Sequence, residues 1–130
     1  MIDLKYTEIL HTNKELTTKV TGKPYNIGVL SNVTVNSLKE VLEYSCRINN
    51  IVPMVEIGNF DNIVQDSLNF SQKDTVIVFY DTLNIVDNIS DFFEDLSDEI
   101  YLHLKQKFID ELSIIFENLK HTPSVVFNSF

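Results

Sequence analysis

The sequence predicts an α/β protein. Three layers are built on a mainly parallel four-stranded sheet in the order 2-1-3-4, with an N-terminal helical arm in front. Three observations predict it. Apolar runs at Ile27–Leu30, Ile51–Ile57, Thr75–Tyr80 and Ser124–Phe127 read as strands, with helical periodicity between them. These runs give way to polar or turn residues: Ser31 and Asn32, Gly58 and Asn59, Asp81, Asn128 and Ser129. The second run contains Pro53, which cannot donate to a central ladder and so sends that strand to an edge, or makes it start after the proline.

Residues 1–24 form the arm. Ile2, Ile9 and Leu16 fall at seven-residue intervals, flanked by Tyr6 and Val20. Thr17, Thr18 and Thr21 make its end a poor autonomous helix, and Gly22, Lys23 and Pro24 stop it. The α/β domain then occupies residues 25–130.

The stretch Tyr25–Glu43 organises this domain. Ile27, Val29 and Leu30 are apolar on both faces, as a strand covered by helices on both sides requires. Gly28 within it permits another group to approach closely. Ser37 and Glu40 have capping-box spacing, with Thr34 as a rival cap. Leu38, Val41, Leu42, Ser45 and Ile48 then share one helical face, and Asn49 and Asn50 close the helix.

After strand two, a short helix is expected over Asp61–Leu68 and a polar loop over Asn69–Lys73. Thr75–Tyr80 is the most strand-like run and belongs in the centre. Asn84–Glu99 is acidic, with Phe92 and Phe93 inside it, and reads as a loop or short helix over the strand ends. Ile100–Lys120 is the longest helix, with Ile100, Leu104, Phe108, Ile115 and Leu119 on its buried face and Ile109 and Leu112 beside them. Thr122 and Pro123 end it ahead of strand four. The order 2-1-3-4 is the start of a flavodoxin-like sheet. Strand four is left as an open edge, so the expectation is either a longer parent protein or a second chain that covers it.

With 130 residues, one domain is expected. A net charge of −9 argues against nucleic acid and against anionic membrane surfaces. No apolar run approaches the ~20 residues of a membrane span, and the N-terminus lacks a secretory pattern, so a cytoplasmic location is expected. Cys46, on the predicted helix, is expected to be a structural thiol. No metal or cofactor is expected: Cys/His ligand spacing, a calcium loop and a glycine-rich phosphate loop are all missing from the sequence.

The candidate site lies at the carboxyl edge of the sheet, where open α/β sheets bind ligands. Its residues are Ser31, Asn32, Asn59, Asp61, Asp81 and Asn128, with Ser129 beside them. Turn and capping chemistry favours the same residue types, so each admits a purely structural role. Ser31 as a nucleophile needs a base and an oxyanion hole, and His11, His103 and His121 all lie outside the strand-end turns.

At IGVLSNVTVNSLKEVLEYSCRINNIVPMVEIGNFDNIVQDSLN and TVIVFYD the chain resembles the N-terminal region of FkbH-like proteins, the subfamily IIIC proteins of the HAD superfamily. The match runs through Leu30-Ser31-Asn32-Val33-Thr34, Gly58-Asn59-Phe60-Asp61, Val76–Asp81 and Val125–Ser129, and covers about residues 25–130. The resemblance implies an SGNH-hydrolase-like fold for this region. It also implies a following HAD domain that handles a phosphorylated three-carbon acyl unit and passes it to an acyl carrier protein. That domain's Asp-x-Asp signature is absent here, so the phosphoryl chemistry of the family is not assigned to this chain. Ser31 matches the serine of the first SGNH block. The Gly-Asp before it is replaced by Val29-Leu30, and the later Asp-x-x-His would lie past residue 130.

Three functions follow as expectations. The first is a non-catalytic SGNH-like domain that positions a C-terminal HAD domain, an acyl carrier protein or a substrate. The second is an SGNH-type esterase or acyltransferase fragment with Ser31 as nucleophile. The third is a flavodoxin-like interaction module that dimerises through strand four.

Overall fold

The computed structural model describes residues 5–81 and 98–128. The elements are α1 (Tyr6–Leu16), β1 (Pro24–Ser31), α2 (Leu38–Ile48), β2 (Val52–Ile57), α3 (Ile63–Asn69), β3 (Thr75–Phe79), α4 (Asp98–Asn118) and β4 (Ser124–Phe127). The four strands form one sheet in the order β2-β1-β3-β4, and every neighbouring pair is parallel. Each crossover carries a helix or is long enough to hold one, as parallel pairing demands. The expected sheet order and class are what the chain adopts.

Strand alternation sets the layers. Gly28 and Leu30 stand level with Val76 and Val78. These two valines and Leu30 join Ile63, Phe70, Tyr80, Ile115 and Leu119 in one buried cluster under α3 and α4. Ile27 and Val29 point the other way and are buried as well. Right-handed crossovers in opposite directions place α2 on that second face, with α1 packed on α2. Gly28 is required by α3's side of the sheet: a Cβ there would stand 2.5 Å from the Phe70 ring and 2.7 Å from Lys73.

Pro53 lies inside β2 rather than ahead of it, and the edge position makes it tolerable. Asn50 takes φ 60 just past α2, the left-handed conformation a helix-closing asparagine adopts.

Four expectations are corrected. The capping box at Ser37 does not form: the Ser37 side chain makes no capping bond, and Leu38 N–H instead donates to the Val35 carbonyl at 3.0 Å. The helix of the arm stops at Leu16, and its buried residue is Asn13, not an apolar stripe. On α2, Ser45 and Ile48 are exposed while Glu43 and Arg47 are half-buried, because α1 covers a second side of that helix. On α4, Ile100 and Ile109 are exposed. A helix of 21 residues is about 31 Å long, whereas β3 with 5 residues spans about 17 Å, so part of α4 outruns the sheet.

Residues 84–97 of the acidic run, together with Ile2 and Ser129, lie outside the described residues; Asp98 and Glu99 open α4. Among the described residues no helix is long and apolar enough to cross a membrane.

Candidate functional site

Ser31 is the last residue of β1. Its Oγ donates to the Val33 carbonyl at 2.6 Å and accepts from the Val33 N–H at 2.9 Å, closing a tight local turn. No histidine bonds to it. His11 pairs with Glu15 on α1 at 3.1 Å, His103 is exposed on α4, and His121 precedes β4 at the opposite end of the parallel sheet. The hydroxyl therefore holds the chain's turn and has no base beside it among the described residues.

Asn32 is buried and grips β3 with both ends of its amide. Its Nδ2 donates to the Asp81 carbonyl at 2.8 Å, and its Oδ1 accepts from the Asp81 N–H at 2.7 Å. Asn128 does the same from the other side: Oδ1 accepts from Tyr80 N–H at 2.7 Å, and Nδ2 donates to the Tyr80 carbonyl at 3.2 Å. A primary amide presents the same donor and acceptor as a peptide, so each asparagine adds a rung where the backbone ladder ends. The gap between β1 and β3 is where the chain reverses direction in the sheet order, the place where such folds bind ligands. Here the Asn32 amide bridges it.

The turn after β2 is organised by a residue that the sequence did not single out. Asp66 is buried on α3 and accepts from the Asn59 N–H at 2.8 Å and from Asn62 Nδ2 at 3.2 Å. Asp61 donates its N–H to the Ser31 carbonyl at 3.1 Å and takes φ 53, a conformation aspartate tolerates. Asn59 and Asp61 are exposed. Of the six candidate residues, the structure therefore joins Asn32 to Asp81 and Ser31 to Asp61. Asn128 bonds to Tyr80, and Asn59 to Asp66.

A cavity of about 200 Å³ opens on the β2 side of β1, lined by Ser31, Val33, Thr34, Val35, Asn36, Ile57, Gly58 and Phe60. Only Ser31 among the six candidates reaches it. Its lining carries no charge: hydroxyls and one amide face aliphatic groups, and the Phe60 ring, 68% exposed, stands at its rim. Typical ligand pockets start near 300 Å³, so this space fits a slim, uncharged group rather than a nucleotide. In the sequence Thr34 and Phe60 figure only as a rival cap and as parts of the motifs of the resemblance, and neither is a site candidate, because loop residues become neighbours only once β1 and β2 are paired.

Tyr80, just past β3, is the other missed position. It is 3% exposed, its hydroxyl donates to Glu111 on α4, and its ring packs on Phe108 and Phe127. Burial first, then the Glu111 bond and the negative charges of Glu111 and Asp61, push its hydroxyl far above the usual tyrosine range. Burial likewise raises the Cys46 thiol, with Arg47 opposing and Glu43 adding, which keeps it protonated and unreactive. Among the described residues no group of three His, Cys, Asp or Glu side chains could hold a metal ion.

No family model matches the chain, and no curated protein is significantly similar to it in sequence. One solved structure is similar in fold: the crystal structure of the N-terminal part of the protein BF1531 from Bacteroides fragilis, which contains a phosphatase domain complexed with Mg. The two superpose with a TM-score of 0.71 at 11% identity, over 95% of this chain and 32% of that one. The likeness is one of fold, and this chain spans about a third of the length of that chain.

Proposed function

We propose that this chain is a non-catalytic binding and positioning domain, of the kind that stands ahead of the HAD-type phosphatase domain in FkbH-like proteins. Its carboxyl edge receives a partner, either the C-terminal HAD domain or an acyl carrier protein, at the uncharged cavity beside Phe60. The observation that carries this reading is the commitment of the Ser31 hydroxyl, in both directions, to Val33. A serine held this way, with no histidine bonded to it, serves a turn rather than an acyl transfer. The fold likeness to part of a larger phosphatase-domain protein supports the same reading.

The test has two arms. In the first, the chain is assayed with p-nitrophenyl acetate and butyrate. No turnover above background is expected; turnover abolished by Ser31→Ala would replace this reading with the esterase one. In the second, the labelled chain is titrated with an acyl carrier protein bearing its phosphopantetheine arm, and separately with a HAD phosphatase domain. Amide shifts are expected at residues 31–36 and 57–60 with one of the two, weakened by Phe60→Ala. Shifts with neither partner would overturn the proposal.

A further inference from the structure

We draw no further inference here: the strongest candidate, the exposed apolar stripe of Leu102, Ile109 and Phe116 along one side of α4, carries none because nothing in the structure shows what covers it.

Discussion

Two asparagines close the end of β3, and they do it with the backbone of the neighbouring strand rather than with its side chains. Their loss should therefore be felt as unsatisfied peptide groups. Replacing the buried Asn32 by Ala strands the Asp81 N–H and carbonyl, and should cost about 2–3 kcal/mol in urea unfolding. Asn32→Asp keeps the shape but sets a carboxylate oxygen against the Asp81 carbonyl, so it should be no better than Ala. A substitution that left stability unchanged would mean Asn32 is available to a ligand after all. Tyr80 makes a pH-dependent contribution whose sign is fixed. Its hydroxyl is held above the usual value of 10.0 in the folded state. Below pH 10 the residue is neutral folded or unfolded, and its contribution is fully present. Above it the unfolded chain ionises first, so stability falls as pH rises toward the folded value. Urea midpoints measured from pH 8 to 11.5 should bend downward above pH 10, and Tyr80→Phe should lessen that bend at the cost of the Glu111 bond.

At the scale of elements, the helices are attached by unequal means. α3 is locked by packing: Phe70 lies under Gly28, and Asn118 of α4 reaches Ser67 on α3 at 2.9 Å. Gly28→Ala drives a methyl into a ring that is itself 5% exposed and has little room to give, and should cost about 1–3 kcal/mol by thermal unfolding. α1 is attached by polar pins. Arg47 of α2 donates to Asn13 Oδ1 at 2.5 Å and pairs with Glu43 at 3.3 Å, while α1 itself buries no large apolar side chain. Arg47→Ala should therefore release α1 alone. Hydrogen exchange should show protection lost over residues 9–16 with the β1 and β3 amides unchanged; loss spreading to the sheet would mean the arm is part of the core. The strands were legible because β1 and β3 carry apolar, β-branched runs that only a covered sheet uses. Pro53 alone assigned the edge. The candidate site was not legible in the same way. Asn, Ser and Asp at a strand end serve equally for gripping backbone and for gripping a ligand, and only the bonds of Asn32, Asn128 and Ser31 distinguish the two uses.

For the molecule as a whole, charge sets the last constraint. With 19 acidic and 10 basic residues, the folded chain holds a surplus of nine negative charges. The ion pairs of lysine and arginine among the described residues are mostly local: Arg47–Glu43 and Lys120–Glu117 each lie within about one helical turn, and Lys73–Glu56 joins separate elements. The exposed Lys120–Glu117 pair contributes little. Self-repulsion, in contrast, acts over the whole surface, because at 0.01 M salt the screening length of about 30 Å is comparable to the width of a domain this size. Added salt should then stabilise the fold. Between about 10 mM and about 200 mM NaCl the melting temperature should rise by a few degrees, the shift that about 1 kcal/mol produces at this chain length. The rise should level off once the screening length drops below about 10 Å, which separates screening from the continuing effect of excluded salts. A melting temperature that fell with salt would show that the ion pairs, and Lys73–Glu56 above all, outweigh the surplus charge.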